Sequence, residues 1–140
     1  MKKLNPFHLA FPVNDIEKAK QWYIDVLGCS IGRESTRWVD FNFFGHQISA
    51  HLVENTISIQ QINSVDNKDI PVRHFGIILN DSEWKKLANK FAKINLDFLV
   101  SPYTRFEGEI GEQSTMFIKD PSGNVIEFKS FKNNNNIFSN

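Results

Sequence analysis

The first half of the chain alternates between patterns typical of strands and a helix. A short apolar run at residues 7–13 predicts a strand. Asn14 and Asp15 then supply helix-capping side chains, and apolar residues follow at helical spacing as far as Gly28, which is a natural C-cap. Three further strands are expected, at residues 29–33, 38–44 and 47–53, with Gly45-His46 as a tight turn between the last two.

The second half repeats this order. It begins with a strand at residues 74–79 and a helix capped by Asp81-Ser82. A strand at residues 96–100 and a long loop at 101–111 should follow, and then a hairpin of strands 113–119 and 125–131 around the turn Asp120-Pro121-Ser122-Gly123-Asn124. Residues 55–71 are polar and predict a linker, with a short strand at 57–59 as an option.

An internal repeat relates the two halves. His8, Asn14, Asp15 and Lys20 each recur 66 positions later, as His74, Asn80, Asp81 and Lys86. A repeat of this kind usually means that one supersecondary unit is used twice. We therefore expect one domain with a first module at about residues 5–54 and a second at about 72–131, followed by a disordered tail at about 132–140.

Composition narrows the possible functions. The 140 residues are enough for one domain with a real core. Sixteen basic and sixteen acidic residues balance, so neither nucleic acid nor an anionic membrane is an expected partner. A single cysteine excludes an intrachain disulfide, and neither a signal peptide nor a run of about 20 apolar residues is present. We expect a cytoplasmic protein.

Four residues are candidates for binding a metal ion. His8 and His74 lie on the first strand of each half, and His51 and Glu127 lie among apolar neighbours on the last strand of each half. A buried carboxylate is costly unless it is paired or binds a metal. Two imidazoles and one carboxylate make the facial triad that holds Fe(II) with open positions, whereas His51 as a fourth ligand would suit a Lewis-acid metal.

A purely structural interpretation competes with this one. A histidine on an apolar strand is more often a hydrogen-bonded core residue than a ligand, although the repeat favours His8 and His74 as a pair. Glu127 could instead form a salt bridge with Lys129 or Arg33. These alternatives stay open on residue chemistry alone.

With these residues the chain resembles the vicinal oxygen chelate superfamily, the glyoxalase/bleomycin resistance/extradiol dioxygenase group, over roughly residues 7–131. The matching pieces are His8 with the helix ending Trp22-Tyr23…Leu27-Gly28, His74, and the segment from Asp120 to Phe128. The resemblance implies an α+β fold of two βαβββ modules, whose curled mixed sheets surround one cavity that holds a divalent metal. It implies ligands at His8, His51, His74 and Glu127.

The branches of this superfamily imply different reactions. In the glyoxalase-like branch, the position matched by His51 is usually a glutamate, which argues against ordinary lactoylglutathione lyase chemistry here. In the extradiol-dioxygenase-like branch, the ligands match His8, His74 and Glu127. We therefore expect a ring-cleavage type of dioxygenase with Fe(II). The alternatives are a glyoxalase-type lyase or isomerase using Ni(II) or Zn(II), and a metal-free binding protein of the resistance type. Mn(II) is a further possible metal.

Three more residues receive expected roles. His51 could transfer a proton near the metal, because an imidazole can act as both acid and base. Tyr103 and Arg105, in the expected loop, could orient an anionic or phenolic substrate. The expected partner is a small molecule, with an aromatic compound as the first candidate, and the resemblance also implies a homodimer.

Overall fold

The computed structural model describes residues 3–54 and 61–140, so the optional strand at residues 57–59 lies outside the described residues. Within these residues the chain contains ten strands, two α-helices and one short 3₁₀ turn. In chain order they are β1 (His8–Val13), α1 (Ile16–Asp25), β2 (Ser30–Glu34), β3 (Trp38–Phe43), β4 (His46–Leu52), β5 (Gln61–Val65), β6 (Lys68–Val72), β7 (Phe75–Leu79), α2 (Asp81–Lys93), β8 (Phe98–Arg105), β9 (Gln113–Lys119), β10 (Val125–Phe131) and the turn Asn134–Asn136.

The first of two compact units comprises residues 3–54 and 120–124. Its sheet has the order β1-β4-β3-β2, with β1 parallel to β4 and the other pairs antiparallel. Asp15 caps α1 by accepting a hydrogen bond from the backbone of Lys18 at 2.9 Å, as the sequence predicts. The helix buries one face, formed by Ile16, Ala19 and Tyr23.

The second unit, residues 61–119 and 125–140, repeats this arrangement. Its sheet has the order β7-β10-β9-β8, with β7 parallel to β10. The cap of α2 is Asn80 rather than the expected Asp81-Ser82, because the Asn80 side chain accepts from the backbone of Glu83 at 2.8 Å. The α+β fold of two four-stranded modules is therefore confirmed, with each helix following the first strand of its module.

Residues 61–72, which polarity assigns to the linker, instead form the hairpin β5–β6. Asp66 and Asn67 make its two-residue turn with φ angles of +50° and +58°, as an Asn/Asp-rich hairpin turn requires. The hairpin contributes Ile70 to an apolar cluster with Val100, Phe117 and Val125. The sequence pattern conceals it because most of its side chains are exposed and polar.

The expected loop at 101–111 begins later than the pattern predicts. Strand β8 continues as far as Arg105, despite Pro102 within it. Proline is tolerated here because β8 is an edge strand whose register with β9 shifts between Phe98 and Val100 and again between Val100 and Tyr103. Tyr103 and Arg105 therefore lie on a strand.

The C-terminal segment, residues 132–140, contains one short helical turn. This is the turn Asn134–Asn136, in which the side-chain amide of Asn136 donates a hydrogen bond to the carbonyl oxygen of Ile110 at 2.7 Å. Separately, among the described residues there is no helix that is long and apolar enough to cross a membrane.

Candidate metal centre

The strand register of the second unit brings His74 and Glu127 together. His74 directly precedes β7, and Glu127 lies in the middle of β10, paired with Gly76. The His74 Nε2 and Glu127 Oε1 atoms are 3.2 Å apart. The Glu127 side chain is only 12% exposed and that of His74 27%, so water screens the pair weakly.

A further contact holds each member of this pair. The second ring nitrogen of His74, Nδ1, lies 2.7 Å from the carbonyl oxygen of Pro71, which requires the proton on Nδ1 and leaves Nε2 for Glu127 or a metal. The hydroxyl of Thr115 donates to Glu127 Oε2 at 2.6 Å, and Thr115 is buried. Such outer contacts fix the orientation of ligating side chains in metal sites.

Each of the two groups changes the pKa of the other. The hydrogen bond with Glu127 raises the pKa of His74, although burial opposes this change. Burial by itself would raise the pKa of Glu127, but the hydrogen bonds from His74 and Thr115 together outweigh it and lower that pKa. Both pKa changes favour the charged forms of the pair, the imidazolium of His74 and the carboxylate of Glu127.

Gly76 permits the close approach of β7 to β10 beside this pair. A Cβ atom on Gly76 would lie only 1.7 Å from the backbone oxygen of Glu127. Any side chain at this position would push the strands apart and move the Glu127 backbone.

The donors present fit a divalent metal. One imidazole and one carboxylate, each anchored by a second hydrogen bond, match the ligand types of non-haem iron, nickel and zinc sites. Among residues 3–54 and 61–140, however, no group of three or more His, Cys, Asp or Glu residues is arranged to hold a metal ion. The structure therefore provides a two-residue half-site in the second unit.

In the first unit, the register identifies a different residue at the position of Glu127. Glu127 pairs with Gly76, whose repeat counterpart is Ala10, and Ala10 pairs with Ser49. Ser49 is buried and donates to Asp40 Oδ1 at 2.5 Å. His51 lies two residues farther along β4 with an exposed side chain, and its counterpart on β10 is Lys129.

His8 occupies the start of β1, the position that matches His74, and its side chain is exposed. Its strand neighbour on β4 is Gln47. Its role as a ligand stays a prediction from the sequence.

Tyr103 and Arg105 share one partner, Asp66, at the tip of the β5–β6 hairpin. The Tyr103 hydroxyl donates to Asp66 Oδ2 at 3.0 Å, and Arg105 Nε donates to the same oxygen at 2.5 Å. The Arg105 hydrogen bond, followed by that of Tyr103, lowers the pKa of Asp66. Lys68 lies over the Tyr103 ring, 4.2 Å from its centroid.

The sequence pattern does not reveal the residues that support the pair. Thr115 carries no signal beyond being a hydroxyl residue in an apolar strand, and its alignment with Glu127 follows only from the β9–β10 register. The Pro71 carbonyl and the Asp66 carboxylate lie in the segment assigned to the linker. The sequence pattern therefore did not predict that they contact His74 and Tyr103, respectively.

Comparisons with known proteins agree with this architecture. Residues 6–128 match the Glyoxalase/Bleomycin resistance protein/Dioxygenase superfamily. A glyoxalase/bleomycin resistance protein/dioxygenase from Alicyclobacillus acidocaldarius is 30% identical, with a TM-score of 0.77 and 96% of each chain covered. None of the curated proteins matches the chain significantly.

More distant structures share the fold. A lactoylglutathione lyase from Agrobacterium tumefaciens is 17% identical, with a TM-score of 0.64 over 92% of this chain and 96% of the other. The fosfomycin resistance protein FosX from Listeria monocytogenes is 12% identical, with a TM-score of 0.67 over 96% and 98%. The match over residues 6–128 and the 30% identical relative, together with the two repeated modules, show that the chain belongs to the glyoxalase/bleomycin resistance protein/dioxygenase superfamily.

Proposed function

We propose that this protein is a metal-dependent enzyme acting on a small molecule, with His74, Glu127 and His8 as the protein ligands. The observation that carries the proposal is the His74–Glu127 contact at 3.2 Å, with Pro71 and Thr115 fixing the outer atoms of both side chains. His8 enters because it occupies the His74 position of the repeat. Members of this superfamily generally bind divalent metals.

The reaction that this ligand set favours is a ring-cleavage, extradiol-like dioxygenation with Fe(II). Two histidines and one carboxylate leave positions for a chelating substrate and for dioxygen, and iron supplies the one-electron chemistry that dioxygen needs. The first module offers no glutamate on β4, where Ser49 matches Glu127 and His51 follows two residues later. A glyoxalase-type set with a second glutamate is therefore not available from that strand.

The remaining predicted residues receive roles in the same proposal. His51, exposed on β4, would accept or donate a proton. Tyr103 and Arg105 would orient the substrate, and a ligand would have to compete with Asp66 for their hydrogen bonds. Thr115 would hold Glu127 so that Oε1 stays directed to His74.

Anaerobic reconstitution with Fe(II), Ni(II), Zn(II) and Mn(II), followed by metal quantification, tests this proposal. We expect one Fe(II) per chain in the wild type, and its loss in His8→Ala, His74→Ala and Glu127→Ala. Glu107→Ala, which removes an exposed carboxylate, is the matched control and should keep the metal. A panel of catechols with an oxygen electrode then tests for dioxygenation.

The same experiment separates the competing functions. Tight Ni(II) or Zn(II) binding that also requires His51 would replace the oxygenase with a lyase or isomerase. A wild-type protein that binds none of the four metals specifically would contradict both enzymes and leave a small-molecule binding protein.

A homodimer belongs to the same proposal, because the superfamily resemblance implies one. Light scattering at several protein concentrations would test it, and a mass of one chain throughout would contradict it.

A further inference from the structure

A row of polar side chains crosses the second sheet next to Glu127. Tyr103 on β8 pairs with Thr115 on β9, and Thr115 pairs with Lys129 on β10. Directly paired residues project from the same face of a sheet, and residues two apart on one strand share that face. Lys129 is therefore on the face that carries Glu127, one step along β10.

Lys129 is close to Glu127 without being tightly bound to it. Its Nζ atom lies 3.8 Å from Glu127 Oε2, which exceeds hydrogen-bond length. The Oε2 atom already accepts the short bond from Thr115. The Lys129 side chain is 34% exposed, so its ammonium group is accessible to a small molecule.

The neighbouring charges do not supply another anion for Lys129. Around the row lie the cationic side chains of Lys68, Arg105 and Lys129 and the carboxylates of Asp66 and Glu127. Asp66 is engaged by Arg105 and Tyr103 at the hairpin tip. Glu127 is the carboxylate in contact with Lys129, and it also pairs with the His74 imidazole at 3.2 Å.

Binding of a divalent metal would remove this balance. A metal that uses Glu127 as a ligand brings two positive charges close to an ammonium group in a partly buried site. Like charges a few ångströms apart repel strongly where water screens them poorly. An anionic group on the bound substrate would relieve this repulsion and pair with Lys129.

We propose that Lys129 is a specificity-determining residue that selects substrates with a carboxylate next to their chelating oxygens. This inference rests on the proposed metal site and adds the substrate class to it. The uncharged relative of such a substrate would chelate the metal but leave the ammonium group without a partner.

Two chelators that differ by one carboxylate test this inference. Catechol and 2,3-dihydroxybenzoate share vicinal hydroxyl groups, and binding of each to the anaerobic Fe(II) protein can be measured by calorimetry. We expect the wild type to prefer 2,3-dihydroxybenzoate by about tenfold or more, the worth of one partly buried charge pair of about 1.4 kcal/mol. Lys129→Met should reduce this preference to less than about threefold, with both affinities measured per bound iron so that any change in metal content is separated from the change in preference.

Two further variants control for side effects. Lys129→Arg keeps the charge and should keep the preference. Lys119→Met removes an exposed lysine from the adjacent strand β9 and should behave as the wild type. An unchanged preference in Lys129→Met, or no preference in the iron-loaded wild type, would overturn the inference while leaving the metal site intact. Absence of bound iron in the wild type would overturn the inference and the proposed function together.

Discussion

Two carboxylates, one in each unit, are largely shielded from water and differ in their partners: Asp120 is buried, and the Glu127 side chain is 12% exposed. In the first unit, Asp120 accepts four hydrogen bonds at 2.8–2.9 Å, from the Tyr23 hydroxyl, the backbones of Ser122 and Asn124, and the Asn124 side chain. A carboxylate has about four acceptor positions, so this group is saturated. It serves the fold.

Glu127 in the second unit has fewer partners. His74 and Thr115 contact one oxygen each, and Lys129 stands farther away. Its remaining lone pairs are available to a metal. The comparison shows that two carboxylates shielded from water can differ in how many of their acceptor positions are used, and Glu127 is the one that keeps unused positions beside an imidazole.

The repeat also diverges at the Glu127 position. The first module has Ser49 there, bonded to Asp40, and it has Ala10 where the second has Gly76. In the second module, the glycine that lets β7 approach β10 lies beside the two proposed metal ligands, His74 and Glu127. Five experiments can break or sharpen this contrast, beginning with the largest expected effect.

Replacing Gly76 by valine should destabilise the protein by about 3 kcal/mol or more, because its Cβ would overlap the Glu127 backbone oxygen. Urea unfolding measures the change. Ala10→Val, at the matching and exposed position of the first module, should cost no more than about 0.5 kcal/mol. Equal costs at the two positions would contradict the difference in strand approach.

Glu127→Ala should weaken Fe(II) binding by about a hundredfold or more, since it removes a charged ligand. Ser49→Ala removes the side chain at the matching position and should leave the affinity within about twofold. Titration of the metal-free proteins with Fe(II) provides both values. A comparable loss in Ser49→Ala would mean that strand β4 contributes to the metal site as well.

Thr115→Val keeps the shape of the side chain but removes the hydroxyl that orients Glu127. We expect Fe(II) affinity to fall by about 10- to 100-fold, and Thr115→Ser to recover most of it. Thr104→Val is the matched control on β8, where the hydroxyl contacts Ser114 at the surface. If this control lowers metal affinity equally, the positioning role of Thr115 is wrong.

Tyr23→Phe should lower the free energy of unfolding by about 1–2 kcal/mol, because buried Asp120 loses one donor. Metal affinity should not change, since this carboxylate serves the fold. Tyr103→Phe removes a hydroxyl bonded to an exposed aspartate and should cost less. Thermal unfolding and Fe(II) titration of both variants measure stability and metal affinity separately. A loss of Fe(II) affinity in Tyr23→Phe would contradict the purely structural role of Asp120.

The smallest expected effect is the pH dependence of the metal-free His74–Glu127 pair. The pKa of His74 is raised from 6.5, so its contribution is complete below pH 6.5 and is lost as pH rises through the folded value. The pKa of Glu127 is lowered from 4.5, so its contribution is present above pH 4.5 and is lost as pH falls through the folded value.

The pair should therefore stabilise the metal-free protein most between pH 4.5 and 6.5, by less than about 1 kcal/mol after solvent screening. Unfolding free energies of the wild type and of Glu127→Gln, compared across this range, measure it. A difference between the two proteins that keeps growing above pH 8 would contradict the assigned direction.

Much of the architecture followed from local sequence. The hairpin strands β9 and β10 have the predicted limits, and Asp15 caps α1 as predicted, because both depend on neighbouring residues. The local sequence did not predict the β5–β6 hairpin or the continuation of β8 to Arg105. The hairpin is stabilised by its own two-residue turn and by Ile70, which packs with Val100, Phe117 and Val125. The end of β8 is stabilised by its pairing with β9. Neither segment has a clear hydrophobic pattern of its own.

The sequence by itself determined the repeat, the two-module organisation, and the histidines and glutamate that suggest a metal. Only the tertiary structure decided that His74 meets Glu127, that Thr115, Pro71 and Gly76 support them, and that Ser49 holds the matching position in the first sheet. The reason is physical. Periodicity assigns a residue to the face of a strand, but strand register decides which side chain stands opposite it.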